Sequence, residues 1–143
     1  MSGFFYTPLT KKALALSFAV HQFQQDKSGL PYVFHPFHLA EQMDTEEEIC
    51  AALLHDVVED SAYTLEDLRA MGFPEAVLEA LALLTHDDAT PYLDYVARLR
   101  SNPIARKVKR ADLAHNSDEA RLNEIGPADR KRLEKYRLAA ELL

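Results

Sequence analysis

The sequence predicts an all-α fold, arranged as a single-domain bundle of about seven helices. Apolar residues recur three and four positions apart along most of the chain, which is the spacing of one face of an α-helix. Strand-like alternation of apolar and polar residues extends no further than residues 32–34. A length of 143 residues suits one domain, and no internal repeat or low-complexity segment divides it. We therefore expect residues 1–143 to fold around one core.

The first two helices are predicted on either side of a stiff, irregular segment. Thr7 or Thr10 can cap a first helix, which carries apolar residues as far as Phe23. A glycine-containing turn follows, and two prolines disfavour a helix in the segment after it. The next short helix is expected from residue 36 to about residue 43. His35 is therefore held where the stiff segment enters this helix.

The later helices are predicted from caps and from breaks at glycine and proline. Asp44-Thr45 can cap a central helix whose first turn holds three glutamates, where the helix dipole favours acids. A capping pattern at Thr64 starts a short helix that Gly72 ends. Four further helices are predicted, over residues 75–84, 91–99, 104–117 and 128–143.

Residues 51–60 carry the most informative pattern in the chain. Their apolar half ends in His55-Asp56, and Glu59-Asp60 follow one helical turn later. If the whole run is helical, His55 and Glu59 share a face, and so do Asp56 and Asp60. Burying these groups beside leucine and valine would be costly without a compensating charge, which a divalent cation supplies. A solvated polar stripe on an amphipathic helix is the alternative, but it does not explain His-Asp directly after an apolar run.

Composition excludes several classes of protein. A net charge of −7 argues against general nucleic-acid binding. No run of about 18 apolar residues is present, so no membrane span is expected, and the N-terminus lacks the pattern of a signal peptide. The single cysteine, Cys50, excludes a disulfide framework and is expected in the core, in a reduced, cytoplasmic setting. The oligomeric state stays open.

Charge is unevenly distributed along the sequence. Residues 1–90 hold four of the 16 basic residues and 15 of the 23 acids, whereas residues 91–143 hold the other 12 basic residues and eight acids. An acidic half can hold a cation while a basic half meets an anionic substrate. Ordinary solvated helix faces would give the same counts.

Three segments together resemble a known superfamily. The string Leu-Leu-His-Asp-Val-Val-Glu-Asp-Ser at residues 53–61 resembles the HD superfamily of metal-dependent phosphohydrolases. It is similar in particular to the hydrolase domain of RelA/SpoT enzymes and to small free-standing alarmone hydrolases. His35-Pro36 and the pair Asp112 and Asn116 resemble the other two signatures, in the expected order. The resemblance spans residues 10 to 125 and implies an HD fold.

The resemblance also implies roles for individual residues by their positions. The implied metal ligands are His35, His55, Asp56 and Asp112. Two imidazoles and two carboxylates suit Mn²⁺, Fe²⁺ or Zn²⁺, and the likeness to alarmone hydrolases implies Mn²⁺. Glu59 and Asp60 match the acidic pair that positions and deprotonates the attacking water. That role is physically sensible because a bound metal lowers the pKa of water beside a carboxylate that can take its proton.

The substrate side follows the family pattern less closely. The implied substrate-binding residues are Lys27, Ser28, Asn116, Leu122 and His21. A plain structural hydrogen bond is an equal alternative for His21, and His115 is either a partner of the metal site or an ordinary surface histidine. Asp26 replaces an arginine that stacks on guanine in the related enzymes, and Asp118 and Glu119 replace their Arg and Thr or Ser at the ribose. Leu113 replaces the arginine after the metal aspartate.

The resemblance implies metal-dependent hydrolysis of a nucleotide phosphate. Removal of the 3′-pyrophosphate from guanosine 3′,5′-bis(diphosphate) is the specific hypothesis, with a small-molecule nucleotide as the partner. An HD-domain phosphatase for another small phosphate ester or nucleotide is the alternative, motivated by Asp26, Asp118 and Glu119. A metal-bound binding module without turnover is a third possibility, which intact Glu59 and Asp60 disfavour. The chain has no room for the synthetase domain of the bifunctional enzymes.

Overall fold

A computed structural model describes residues 4–118 and 124–143 and confirms the all-α prediction. This part of the chain contains nine α-helices and one short 3₁₀ turn, Leu99–Ser101. The α-helices are α1 (Pro8–His21), α2 (Phe34–Glu41), α3 (Glu46–Leu54), α4 (Val57–Asp60), α5 (Leu65–Ala70), α6 (Glu75–Leu84), α7 (Tyr92–Arg98), α8 (Pro103–Asn116) and α9 (Pro127–Glu141).

Helix α3 lies at the centre of the bundle. It packs against α1, α2, α6 and α8, and six consecutive residues, 49–54, are buried. A helix that is apolar on every side belongs in an interior, because no face of it gains from contact with water. Cys50 is among these buried residues, as expected. The end of α3 therefore delivers the residues that follow it, His55 and Asp56, to the middle of the molecule.

Several predicted helix ends are present with their caps. The hydroxyl of Thr7 accepts a hydrogen bond from the Thr10 amide at 3.1 Å, and Thr45 and Thr64 cap α3 and α5 in the same way. Gly72 has φ +97°, in the left-handed region that a residue after a helix often adopts. These local signals were sufficient to place the ends.

Two predicted boundaries near the first turn were wrong. Helix α1 ends at His21, and Phe23 lies beyond it with 92% of its surface exposed. Helix α2 begins at Phe34 instead of residue 36, because Pro36 falls in the first turn, where a missing amide hydrogen costs no helical bond. Between the helices, Gln25 and Pro31 form an isolated antiparallel bridge that closes the turn at Gly29, whose φ is +83°.

The prediction of one continuous central helix was also wrong. Helix α3 ends at Leu54, and α4 begins at Val57 after a two-residue turn made by His55 and Asp56. Asp56 has φ −107° and ψ 0°, away from the helical values. Successive residues of a helix point in different directions, whereas this turn brings the side chains of His55 and Asp56 within 3.0 Å of each other. The break therefore brings the two adjacent predicted ligands to one site.

None of the helices in the described ranges combines the length and apolar character needed to span a bilayer.

Candidate metal centre and active site

Four side chains predicted as metal ligands come together at the end of α3. His35 enters from the start of α2, His55 and Asp56 from the turn after α3, and Asp112 from α8. His35 Nε2 lies 2.8 Å from Asp112 Oδ1, and His55 Nε2 lies 3.0 Å from Asp56 Oδ2 and 3.8 Å from Asp112 Oδ1. His35, His55 and Asp56 also form a compact group whose ligand atoms lie within 4.8 Å of one another.

His55 presents a lone pair to this group. Its Nδ1 lies 2.7 Å from the carbonyl oxygen of Ala52 and donates a proton to it, so in the neutral ring Nε2 is the free nitrogen. Nε2 is buried and makes no hydrogen bond within the described part of the chain, although Asp56 Oδ2 lies 3.0 Å away. Burial lowers the pKa of His55, but the charges of Asp56 and Asp112 outweigh it and raise the pKa to about 9. This position therefore favours a positive charge, either a proton or a metal ion.

The spacing of the four side chains fits a divalent ion. Donor atoms bound to one transition-metal ion at about 2.0–2.2 Å must lie roughly 3–4 Å apart, as several of these atoms do. The buried orphan nitrogen of His55 is the atom that such an ion would satisfy. Two neutral imidazoles and two carboxylates also offer the mixed nitrogen and oxygen set of several divalent metals.

Both carboxylates of the centre are held in place by neighbours. The Tyr32 hydroxyl donates to Asp56 Oδ2, and burial together with this carboxylate raises the pKa of Tyr32. Asp112 Oδ2 accepts from the buried Lys109 ammonium at 2.9 Å, while Asn116 donates to Oδ1 at 2.9 Å. Burial alone would raise the pKa of Asp112, but Lys109 and the histidines hold it well below its usual range. Asp112 is therefore a fixed anion.

Lys109 itself lies in an aromatic pocket. Its ammonium lies 5.5 Å from the ring centroid of Tyr92 and 5.2 Å from that of Tyr95, within the range of cation–π attraction. The Tyr95 hydroxyl donates to the Leu84 carbonyl oxygen, which fixes that ring. The buried Lys109 therefore holds Oδ2 of Asp112, while the two histidines approach Oδ1.

Glu59 and Asp60 are exposed residues of α4 at the edge of the centre. The amide of His86 donates to Glu59 Oε1, and Gln24 Nε2 donates to Asp60 Oδ2 at 3.3 Å. Desolvation by the surrounding protein, with help from the Asp56 charge, raises the pKa of both carboxyls. Acids with raised pKa values beside a metal centre are candidates for proton transfer.

A cleft of about 240 Å³ lies beside the centre, and it combines several predicted residues with others. Its lining residues are Gln24, Gln25, Asp26, Lys27, Ser28, Tyr32, Asn116, Asp118, Arg132 and Tyr136. Lys27 and Arg132 form what we call the cationic wall. Burial, and then the charge of Arg132, lower the pKa of Lys27, while Asp129, which pairs with Arg132, opposes that shift. This wall can bind an anionic group.

The predicted substrate-binding residues occupy different positions relative to the cleft. Lys27, Ser28 and Asn116 line it. His21 is fully buried, and its Nδ1 lies 2.9 Å from Gln24 Oε1 and 3.9 Å from Asp60 Oδ2. His21 therefore contacts Gln24 and Asp60 from the protein interior and does not line the cleft. Leu122 and Glu119 lie outside the described residues.

Sequence reasoning assigned no function to Tyr32, Lys109, Arg132 or Tyr136. Tyr32 belongs to the segment that precedes His35-Pro36, so its position in that motif was an available signal. Lys109 lies three residues before Asp112, a spacing that puts two helical side chains in contact. For Arg132 and Tyr136 the spacing of four was visible, but no sequence pattern indicated that this face of α9 meets the cleft.

Comparison with known proteins connects this geometry to a family. No protein-family model matches the chain. Guanosine-3′,5′-bis(diphosphate) 3′-pyrophosphohydrolase MESH1 of Mus musculus is 31% identical over 145 residues, which cover 90% of this chain and 80% of the mouse protein. The Homo sapiens protein of the same name is 32% identical over 135 residues, covering 85% of this chain and 74% of the human protein.

Two further matches are a longer protein that aligns over a small part of its length and a solved structure that has a similar fold at lower sequence identity. A GTP pyrophosphokinase of Streptomyces coelicolor is 31% identical over 135 residues, but the match spans 16% of that protein. The solved structure of a metazoan ortholog of SpoT that hydrolyses ppGpp has a TM-score of 0.77 and 22% identity, covering 96% of this chain and 84% of that one. Since most of both MESH1 proteins aligns at these identities, the chain belongs to the MESH1 family of HD-superfamily hydrolases.

Proposed function

We propose that this chain is a metal-dependent hydrolase that removes the 3′-pyrophosphate of guanosine 3′,5′-bis(diphosphate), ppGpp. The observation that carries the proposal is the convergence of two imidazoles and two carboxylates beside a cleft with a cationic wall. The mouse and human relatives are named for hydrolysis of this nucleotide, which supports the same substrate here.

We infer that the resident metal ion is Mn²⁺, held by His35, His55, Asp56 and Asp112. The ligand set fits Mn²⁺, Fe²⁺ and Zn²⁺, and the likeness to alarmone hydrolases favours Mn²⁺ among them. A bound divalent ion supplies a water of lowered pKa and stabilises negative charge on a phosphoryl oxygen.

Glu59 and Asp60 are proposed to orient the attacking water and accept its proton. Both residues belong to α4, the single turn that follows Asp56, and their raised pKa values bring them closer to neutral pH, where a general base works best. The anchors from His86 and Gln24 limit the rotation of each side chain. Positioned carboxylates of this kind typically contribute about 10²–10⁴-fold to the rate.

The cationic wall is proposed to bind the phosphates of the nucleotide. Lys27 and Arg132 line the cleft, and an arginine can pair with a phosphate through two parallel hydrogen bonds. Ser28 and Asn116 add polar contacts, and the Tyr136 ring offers an aromatic surface against which a base can pack. The carboxylates of Asp26 and Asp118 on the same lining favour the alternative, a phosphate ester other than a guanine alarmone.

A substrate screen tests the proposal. Purified protein with Mn²⁺ is assayed against ppGpp, common nucleotides and sugar phosphates, and the inorganic product is identified. Pyrophosphate released from ppGpp, with the highest kcat/KM of the panel, is the expected result. Orthophosphate from another ester with a higher kcat/KM would replace the proposal by the alternative.

Metal content is tested separately from turnover. Asp56→Ala should lose most of its bound divalent metal in elemental analysis, whereas Glu79→Ala, an exposed acid on α6, should retain it. Equal metal content in both variants would remove Asp56 from the ligand set.

A further inference from the structure

His35 is hydrogen-bonded to a second histidine on the side away from the metal centre. Its Nδ1 lies 2.6 Å from Nδ1 of His115, which is in the last turn of α8. The two rings are inclined by only 8°. Parallel rings packed face to face cannot bring two nitrogens this close, so the imidazoles lie nearly in one plane and are joined edge to edge. This is the geometry of a direct N–H···N hydrogen bond.

Only one proton can lie between the two nitrogens, and its position follows from the task of His35. The other nitrogen of His35, Nε2, faces Asp112 and the group that includes His55. To bind a metal ion, Nε2 must offer a lone pair, so the ring proton must be on Nδ1. A buried N–H group needs an acceptor, and His115 Nδ1 is the acceptor within reach.

We propose that His115 is a positioning residue that fixes the tautomer and the ring orientation of the metal ligand His35. The inference rests on the proposed metal centre and adds a residue to it. Ligand histidines commonly donate their second N–H to a carboxylate or a carbonyl oxygen, and such partners raise metal affinity by orienting the ring. Here a neutral imidazole performs that task.

The placement of His115 on α8 couples two ligands of the same ion. Asp112 and His115 are three residues apart on one helix, and each contacts the His35 ring: Asp112 Oδ1 lies 2.8 Å from Nε2, where the two would share an ion, and His115 accepts from Nδ1. His35 is thus held at both nitrogens by one rigid element. A small rotation of α8 would move both contacts together, which keeps His35 aligned with Asp112.

Substitutions at residue 115 can separate this role from a general packing role. In His115→Asn the side-chain oxygen is the same number of bonds from Cα as Nδ1 is, so the acceptor is kept. In His115→Gln the amide group is one bond further out and imitates Nε2 instead. His115→Leu removes the acceptor and leaves the His35 N–H unpaired. The exposed His38, whose ring centroid lies 4.3 Å from that of His115, provides the control His38→Asn.

The measurement is the Kd for Mn²⁺ without substrate, from titration calorimetry and from the electron paramagnetic resonance signal of free Mn²⁺. We expect His115→Leu and His115→Gln to bind about 10–100-fold more weakly than wild type, and His115→Asn and His38→Asn to stay within a few-fold of it. Circular dichroism of the metal-free proteins checks that each variant is folded.

Two results would overturn the proposal while leaving the hydrolase function intact. One is a wild-type Kd in folded His115→Leu, and the other is equal weakening in His115→Asn and His115→Leu. A wild-type protein that binds no Mn²⁺ would refute the metal centre itself, and with it both proposals. As a second readout, ¹⁵N NMR of the Zn²⁺-loaded protein should show a protonated Nδ1 on His35, and a protonated Nε2 there would contradict the assigned tautomer.

Discussion

Glu59 and Asp60 are adjacent in sequence but are held by different parts of the molecule. Glu59 accepts from the backbone after α6, whereas Asp60 accepts from Gln24 after α1. Because α4 is a single turn, these two anchors and the amide-to-carbonyl bond from Asp60 to Asp56 determine where the carboxyls lie. Each acid can therefore be tested alone.

We expect Glu59→Gln and Asp60→Asn to retain Mn²⁺ and lose about 10²–10⁴-fold in kcat. The amide replacements keep a hydrogen-bond acceptor for His86 or Gln24 but cannot accept a proton from water. Metal analysis and steady-state kinetics on the same preparations measure both properties. Loss of metal from both variants would move these residues into the ligand set, and unchanged rates in both would exclude them from the reaction.

The pH dependence of the reaction follows from the direction of the two pKa shifts. A general base is active when deprotonated, and desolvation raises the pKa of both Glu59 and Asp60. We therefore expect kcat/KM to rise with pH through a pKa above that of an ordinary carboxyl. If Glu59 or Asp60 is the base, the decrease of kcat/KM at low pH, which we call the acidic limb, should disappear in Glu59→Gln or Asp60→Asn respectively. A limb that persists unchanged in both variants would assign it to another group.

Asp26 combines a structural contact with a place in the cleft. Its Oδ1 accepts from the amides of Ser28 at 2.8 Å and Leu30 at 3.0 Å, which caps the turn, and the residue also lines the cleft. A carboxylate there disfavours a nearby phosphate through charge repulsion. Replacing it by arginine would change the cap and the charge together, so a subtler change is needed.

We expect Asp26→Asn to keep the cap and to raise kcat/KM for ppGpp a few-fold relative to the wild-type protein. Asp26→Ala should lose the cap and about 1 kcal/mol of stability. Kinetics with ppGpp and thermal unfolding of both variants are the measurements. If Asp26→Asn behaves as wild type, the carboxylate has no role in recognition, and Asp118 becomes the residue to change next.

At the level of residues, the sequence identified the groups that meet at the centre but not the contacts that orient them. Motif positions predicted His35, His55, Asp56 and Asp112, because each of these residues belongs to a short local pattern that can be recognised in the sequence. The orientation of Asp112 depends on Lys109 and of Asp56 on Tyr32. Those contacts depend on how helices pack, which local spacing does not specify.

At the level of elements, caps were more predictable than interruptions. A threonine cap marks the start of α1, α3 and α5, and in α3 and α5 an acid follows it three residues later. The interruption at His55 and Asp56 has no glycine or proline to signal it. The break arises from tertiary packing, since the His55 side chain meets Asp112 of α8 and the Asp56 side chain accepts from Tyr32, just before α2.

Gly72 offers a test of the connection between α5 and α6. Its φ of +97° strains any residue with a Cβ, although the nearest side-chain atom, Lys12 Nζ, would be 3.5 Å from that Cβ. We expect Gly72→Ala to destabilise the fold by about 1–2 kcal/mol without changing KM for the substrate. Gly126→Ala, at φ −96°, is the matched control and should cost less than about 1 kcal/mol. Urea unfolding compares them, and equal midpoints would contradict the role of the positive φ.

At the level of the whole molecule, the sequence predicted the central position of α3 through its apolar run, but not the arrangement of the last helix. Helix α9 has few buried residues, of which Ala139 is one, so its hydrophobic pattern did not distinguish an inner face. Among its basic residues Arg132 lines the cleft, and α9 packs on α8. Charge asymmetry between the two halves of the chain was compatible with an anionic substrate and with solvated helix faces, and it did not indicate which side chains would meet a substrate.

The four proposed ligands come from segments far apart in the chain, and this has a consequence for folding. His35 and Asp112 are 77 residues apart, so one ion bound by both closes a long loop much as a disulfide would. Removing the ion should loosen the ends of this loop, and a protease should cleave the apoprotein at sites that are protected in the metal-loaded protein.

With Mn²⁺ at about 100 times its Kd, metal binding adds about 2.7 kcal/mol to the free energy of unfolding. Chelation should lower the Tm accordingly, while Asp56→Ala, lacking a ligand, should unfold at nearly the same temperature with or without chelator. In a cell, the supply of the metal would then control how long this protein survives as well as how fast it works.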